Sequence, residues 1–232
     1  MHYLEINLDP FIELGRIVDI PLGNPLNLLG FIEAVGVAGI SFTNTPERKG
    51  MINITALRSM SRCRLNIRAN IENQAIQRAM SAKPDSITLI NLDESDLTVD
   101  PHSQIVQNLI ETVQSAEDFN LILRLKPEIR DLKAAYRLKI DEVELATDPL
   151  VAQVLQASYT DELNKIVAAS RLAIRNHMRV SLGGRLHKRL ILSLLELIDV
   201  EFISVGRALL GQALITGFDS ALRELLEIVE NR

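Results

Sequence analysis

Two short segments of the chain pair glycine with arginine. Gly183 and Gly184 precede Arg185, and Gly206 precedes Arg207. Glycine lets a backbone approach a ligand closely, the first N–H groups of a helix attract anions, and arginine grips phosphate with two parallel hydrogen bonds. These five residues are therefore candidates for holding a phosphate or another anion. The same glycines would also serve as plain strand-to-helix turns. A second set of residues alternates polar with apolar: Glu5, Asn7 and Asp9 against Leu4, Ile6 and Leu8; Arg64, Asn66 and Arg68 against Leu65 and Ile67; Arg124 and Lys126 against Leu123 and Leu125; Glu142 and Glu144 against Val143 and Leu145. Period-two alternation puts each polar set on one face of a strand. Buried charge is costly unless paired, so Glu5, Asp9 and Glu144 are expected to pair with Arg68 and Arg124. Glu5 and Arg64 fit a structural charge ladder as well as a site. Asp9, Arg68 and Lys126 stand at strand ends and lean towards function.

The elements that would position these residues alternate along the chain. Strand-like runs cover Tyr3–Leu8, Ala38–Phe42, Arg64–Arg68, Ser86–Asn91, Asn120–Leu125, Glu142–Thr147, Met178–Leu182 and Glu201–Val205. A segment with apolar residues at helical spacing follows each one; Pro25–Val35 is one example, and the last carries Leu222, Leu225, Leu226 and Val229 behind Asp219 as its expected cap. The segment Met51–Met60 has the weakest helical signal. Eight strand–helix pairs in series imply a parallel sheet. An open sheet would have strands apolar on both faces. The polar parity shared by four strands points instead to a closed (β/α)₈ barrel, a TIM barrel, spanning residues 1–232 as one domain. Barrel sites lie at the C-terminal ends of the strands, with phosphate commonly held after the seventh and eighth.

Composition agrees with that reading. The 232 residues are 47% hydrophobic and only 4% aromatic, without tryptophan, so the core is aliphatic. A net charge of −5 argues against a nucleic-acid partner. The apolar stretches Leu28–Phe42 and Val200–Phe218 are broken by Glu33, Glu201 and Arg207, so no membrane partner is expected. Glu5 and Asp9 interrupt any leader-like start, and the lone Cys63 cannot form an internal disulfide; a cytoplasmic location is expected. No metal or cofactor is expected. His102 with Asp93, Asp96 and Asp100 reads as a solvated loop, and Cys63 precedes a strand, away from the reactive end.

In order along the chain, several segments resemble those of the pyridoxine 5′-phosphate synthase family of vitamin B6 biosynthesis. They are Ile6-Asn7-Leu8-Asp9, Asn24-Pro25-Leu26, Val37-Ala38-Gly39-Ile40 with the basic Glu47-Arg48-Lys49, Leu65-Asn66-Ile67, Val143-Glu144-Leu145-Ala146-Thr147, Val180-Ser181-Leu182-Gly183-Gly184, and Val205-Gly206-Arg207-Ala208-Leu209-Leu210-Gly211 with Thr216-Gly217. The resemblance implies a (β/α)₈ barrel, a homo-oligomer, and the condensation of 3-amino-2-oxopropyl phosphate with 1-deoxy-D-xylulose 5-phosphate. It implies a glutamate and histidines as acid–base groups, and arginine and glycine around the phosphates. At those catalytic positions this sequence carries Arg68 for the glutamate and Pro10, Thr43, Gly184 and Arg207 for histidines, while Thr45 takes the place of a substrate arginine. Asn7, Asp9, Glu144, Thr147, Gly183 and Gly206 match. Ring closure needs several proton transfers, each positioned group contributing roughly 10²–10⁴-fold. Arginine is effectively always protonated and cannot replace a base. The expected function is thus a synthase-like barrel that binds a small phosphorylated metabolite through Asn7, Arg68, Gly183, Gly184, Arg185, Gly206 and Arg207, with synthase activity altered or lost. Two alternatives stand beside it: an active synthase rebuilt around Asp9 and Glu144, and a non-catalytic regulatory or structural protein.

Overall fold

A computed structural model describes residues 2–18, 24–46, 52–116, 118–153 and 159–230. Eight parallel strands close in chain order into a barrel: β1 (Tyr3–Asn7), β2 (Gly39–Thr43), β3 (Arg64–Asn70), β4 (Ser86–Ile90), β5 (Asn120–Leu125), β6 (Glu142–Ala146), β7 (Arg179–Gly183) and β8 (Phe202–Val205), the last pairing with the first. This is the (β/α)₈ barrel that the alternation implies, and each expected strand lies within about two residues of its place.

One parity of each strand carries the core. Leu4, Ile6, Ile40, Phe42, Leu65, Ile67, Ile87, Leu89, Leu123, Val143, Leu145, Leu182 and Ile203 are fully buried between strands and outer helices. The opposite parity faces the lumen, and every strand contributes a polar residue to it: Asn7, Ser41, Asn66, Thr88, Arg124, Glu144, Ser181 and Ser204. The lower lumen is a structural cluster. Glu142 accepts from Arg64 (2.8 Å), Asn120 (2.6 Å) and Ser181 (2.8 Å), and the Arg64 guanidinium lies 4.2 Å from the Phe202 ring centre. Arg64 therefore belongs to the ladder rather than to the mouth.

The outer ring is richer than one helix per strand. Helix α1 (Asp9–Val18) precedes α2 (Pro25–Val35), and both follow β1. Asn24 caps α2, accepting from the Leu26 N–H at 3.0 Å, and Gly36 ends it at φ 96°. The weak segment becomes α3 (Ile54–Met60), because Asn53, a poor helix former inside a helix, serves as its cap through the Ala56 N–H. Next come α4 (Asn73–Ser81), α5 (Gln104–Gln114), α6 (Ile129–Arg137), a short α7 (Asp148–Ala152) directly after β6, α8 (Tyr159–Arg175), α9 (Lys188–Leu195), α10 (Arg207–Thr216) and α11 (Phe218–Glu230). Asp219 does not cap α11. The helix starts one residue earlier, and the Asp219 carboxylate instead takes two hydrogen bonds from Arg223 one turn on. No helix among the described residues is long and apolar enough to cross a membrane.

Candidate functional site

The C-terminal ends of the strands open into a cavity of about 130 Å³, lined among others by Asn7, Arg68, Asp96, Arg124, Asp148 and Ser204. Gly184, Gly206 and Arg207 stand at its mouth. Asp9, Pro10, Leu97 and Arg207 also line an outer cleft of about 530 Å³. Asn7, Asp9, Arg68, Gly184, Gly206 and Arg207, six of the residues singled out by type and spacing, thus meet at one place.

Glu144 lies buried beneath this cavity. Its two oxygens are each held by a guanidinium, Oε2 by Arg68 and Oε1 by Arg124. All three side chains are about 3% exposed, so this is a buried ion triad rather than a solvated one. Burial alone would drive the Glu144 carboxyl towards its neutral form, but the two arginines outweigh it and hold the carboxylate below its ordinary range. Arg68 is held charged in turn: burial disfavours its cation, and Glu144, Glu5 and Asp9 more than offset that. Glu5 sits one layer down, accepting from Asn66 Nδ2 at 3.1 Å, and Asn66 Oδ1 accepts from Thr88 at 2.9 Å. Arg124 continues the chain upwards. Its Nε–H donates to the Asp96 carbonyl (2.7 Å) and its Nη2 to Asp148 (2.7 Å).

Asp148 is the residue that sequence reasoning missed. It is the first residue of α7, directly after β6, with its side chain 16% exposed. Arg124 contacts one oxygen, and Arg185 Nε lies 3.6 Å from the other. Burial pushes its carboxyl above the usual aspartate value although Arg124, Arg185 and Arg207 all pull it down. The signal was available: Thr147-Asp148-Pro149 follows a strand directly, as a helix start does.

The two glycine segments differ. Gly183 is the last residue of β7, and a Cβ there would lie 2.7 Å from Arg124 Nη1 and closer still to Glu144; its missing side chain makes room for the ion pair. Gly184 has φ 142°, and a Cβ would lie 2.7 Å from both Asp148 Oδ2 and Thr147 Oγ1. Helix α9 begins only at Lys188, with His187 as its cap, so neither glycine sits at that helix's N-terminus. Gly206 does sit at one. It caps α10, whose first backbone bond is Leu210 N–H to Gly206 O at 2.9 Å, leaving the N–H groups of Arg207, Ala208 and Leu209 without helical partners. Arg207 is exposed at the start of that helix.

Asp9 begins α1 and is tied to β2: Thr43 donates to it through N–H and Oγ1, each at 2.7 Å. Asn7 Oδ1 accepts from the Asp9 N–H at 2.8 Å. Lys126 stands apart, half exposed and 3.7 Å from Glu94, because the strand ends at Leu125 and releases it to the surface. The basic segment Glu47-Arg48-Lys49 lies outside the described residues. His102 pairs with Asp131 at 3.4 Å, and Asp96 accepts from Thr98, so the loop residues do not converge. Cys63 immediately precedes β3, and burial raises its thiol above the ordinary value.

Comparisons with known proteins fall on the same architecture. The family described as pyridoxal phosphate biosynthesis protein PdxJ matches residues 4–231. Curated relatives include a pyridoxine 5′-phosphate synthase of Syntrophobacter fumaroxidans, 23% identical over 99% of both chains. Another, from Geotalea uraniireducens, is 26% identical over 89% of this chain and 90% of its own. Solved structures with the same fold include a thiamine phosphate pyrophosphorylase of Pyrococcus furiosus, with a TM-score of 0.64 at 16% identity over 99% of this chain and 96% of that one. A phosphoribosylanthranilate isomerase of Thermotoga maritima gives a TM-score of 0.63 at 12% identity over the whole of both chains.

Proposed function

The chain belongs to the PdxJ family of pyridoxal phosphate biosynthesis proteins, and from that premise we propose that it is a family member that binds a small phosphorylated metabolite at the barrel mouth with its synthase chemistry altered or lost. The observation that carries the reading is the Arg68–Glu144–Arg124 triad. The resemblance implies a glutamate where Arg68 stands. Arg68 brings a permanent positive charge instead, and it helps to lock Glu144 as an ionised counter-ion. A carboxylate held below its ordinary range between two arginines is a poor proton acceptor near neutral pH. The candidate anion-binding residues support the binding half of the reading. The free N–H groups of α10 behind Gly206 point an N-terminal dipole at the mouth. Gly184 keeps backbone close, and Arg207 and Arg185 supply charge at the rim, with Asn7 and Arg68 deeper. Asp9 and Glu144 then serve to hold the walls.

The test has two arms. Purified protein is offered 3-amino-2-oxopropyl phosphate with 1-deoxy-D-xylulose 5-phosphate, and little or no pyridoxine 5′-phosphate should form. Thermal shift with small phosphate esters should show stabilisation that weakens with salt and with Arg207→Ala. Turnover at ordinary enzyme rates overturns the loss of synthase chemistry; failure of every ester to stabilise the protein overturns ligand binding.

Asp148 favours a second reading, an active enzyme with a rebuilt site. It lines the mouth cavity with its side chain 16% exposed, and burial raises its carboxyl, which makes it the candidate acid–base group of a rebuilt site. Product formation that disappears in Asp148→Asn would establish it. On either reading we take the chain as a single cytoplasmic domain that self-associates. Ile17 and Val18 on α1, and Leu214 and Ile215 on α10, are exposed apolar groups on helices that touch each other, and they support self-association. Light scattering at micromolar concentration decides that point.

A further inference from the structure

One residue reaches the mouth from its far side. In a barrel of eight strands closed in chain order, β4 stands opposite β8. Asp9 and Pro10 follow β1, and Arg207 follows the neighbouring β8. Leu97 belongs to the loop between β4 and α5, yet it lines both the inner cavity and the outer cleft, as those three residues do. Its backbone has φ 59°, in the left-handed region. Lys83, Lys139 and His177 share that sign of φ, but they stand just past the ends of α4, α6 and α8, where helices ordinarily turn left-handed. Leu97 ends no helix. A leucine in this conformation persists only where its surroundings over-determine it. Here they do. The Asp96 carbonyl accepts from Arg124 Nε at 2.7 Å, and the Val99 N–H donates to the Arg124 carbonyl at 2.9 Å. The Leu97 N–H donates to the Glu94 carbonyl, and the Leu97 carbonyl accepts from the Asn91 N–H. The loop is thus pinned to β5 on both sides of Leu97.

We propose that Leu97 is the specificity-determining residue of this mouth: its side chain partitions the inner cavity from the outer cleft and so limits a phosphate ester to a short carbon chain. The inference rests on the phosphate-binding reading and deepens it by setting the size of the ligand. On that reading Gly206 and Arg207 hold the phosphate at the rim. The carbon chain then enters the inner cavity of about 130 Å³, while the cleft of about 530 Å³ lies beyond Leu97. The inner walls carry Asp9, Asp96 and Asp148 beside Arg68 and Arg124. Hydroxyls suit such mixed walls, because each can donate to a carboxylate and accept from a guanidinium. A chain that outgrows the inner cavity meets Leu97, whose side chain offers no hydrogen bond and whose pinned backbone keeps it in place. Leu92, 43% exposed, lines the outer cleft but not the inner cavity, and sets no such limit.

The probes are sn-glycerol 3-phosphate and D-ribitol 5-phosphate, open-chain esters that differ only in the number of hydroxymethylene units. A methylene too many in a fitted pocket is worth roughly 10–200-fold, so calorimetry at constant ionic strength should give the wild type at least about threefold tighter binding of the glycerol ester. Leu97→Ala should shift the ratio of the two affinities towards the ribitol ester by about fivefold or more. Leu97→Gly removes the left-handed strain together with the side chain, and should shift the ratio as far. Leu92→Ala should leave the ratio within about twofold of the wild type. Equal wild-type affinities, or tighter ribitol 5-phosphate, overturn the partition without any variant having to fold. A ratio unchanged in Leu97→Ala overturns it as well, and so does one that moves only in Leu97→Gly, since the loop backbone would then set the limit. An equal shift in Leu92→Ala overturns the assignment to Leu97. Both esters binding in an unchanged ratio leaves the phosphate-binding reading intact. Binding of neither ester overturns this inference; if inorganic phosphate fails as well, the phosphate-binding reading falls with it.

Discussion

Thr43 holds both oxygens of the Asp9 carboxylate, Oδ1 through its N–H and Oδ2 through its hydroxyl, each at 2.7 Å. The contact joins the last residue of β2 to the first residue of α1 and fixes one wall of the mouth. Replacing the hydroxyl by a methyl leaves one carboxylate oxygen short of a donor. Thr43→Val should therefore cost about 1–3 kcal/mol, read as a lower urea midpoint with an unchanged slope. A loss below about 0.5 kcal/mol would mean that water replaces the hydroxyl fully.

Removing Glu144 should do more harm than removing any carboxylate at the rim. Glu144→Gln leaves Arg68 and Arg124 buried with no anion between them. Breaking a buried pair by deleting one partner costs about 3–5 kcal/mol. Denaturant unfolding checks the value, and Glu13→Gln on exposed α1 is a control expected to stay within about 0.5 kcal/mol.

Glu144 and Asp148 give stability opposite dependences on pH. The Glu144 carboxyl is depressed in the fold, so its stabilisation is complete above the unfolded value, about 4.3, and is lost as pH falls through the folded value. The Asp148 carboxyl is raised, so its contribution is complete below the unfolded value, about 3.9, and fades as pH rises through the folded one. Tm measured against pH should fall in acid for the wild type. The Asp148→Asn variant should keep that acid limb and lose the decline above about pH 4 that belongs to Asp148. A difference curve of the opposite slope would contradict the assignment of Asp148 as a carboxyl penalised by burial.

Two glycines offer an internal contrast. Gly184→Ala places a Cβ 2.7 Å from two oxygens on a backbone with φ 142°, and should cost at least about 1–3 kcal/mol. Gly211, exposed on α10, has nothing within 4 Å of a Cβ. Gly211→Ala should stabilise by about 0.5–1 kcal/mol through helix propensity alone. Thermal melts of the two variants should move in opposite directions.

The barrel was legible because its strands announce themselves twice, once by spacing and once by polar parity. Leu4, Ile6 and Leu8 against Glu5, Asn7 and Asp9 carry both signals in six residues. The lumen in β2, β4, β7 and β8 was not legible. Its polar groups there are Ser41, Thr88, Ser181 and Ser204, small hydroxyls that appear in buried apolar strands as readily as in a polar cavity. Asp148 escaped notice for a different reason. Its role depends on Arg124, Arg185 and Arg207, which lie on three other parts of the chain, and only closure of the barrel brings them together. The pairing of Glu144 with Arg68 and Arg124 was foreseen from charge alone; that both arginines share one carboxylate needed the register of β3, β5 and β6. Asp219 shows the opposite failure, a plausible cap displaced by one residue to a place where Arg223 is its better partner.

The bare backbone at Gly183 ties that position to the ion pair beside it. A Cβ there meets the ends of the Glu144 and Arg124 side chains, so a substitution at position 183 must displace that ion pair. Glu144 is bound likewise, since two arginines depend on it. Arg68→Glu alone would set two buried carboxylates against a single guanidinium, a like-charge pair that disfavours ionisation of both. A carboxylate at position 68 therefore requires a compensating change among the neighbours of Arg68.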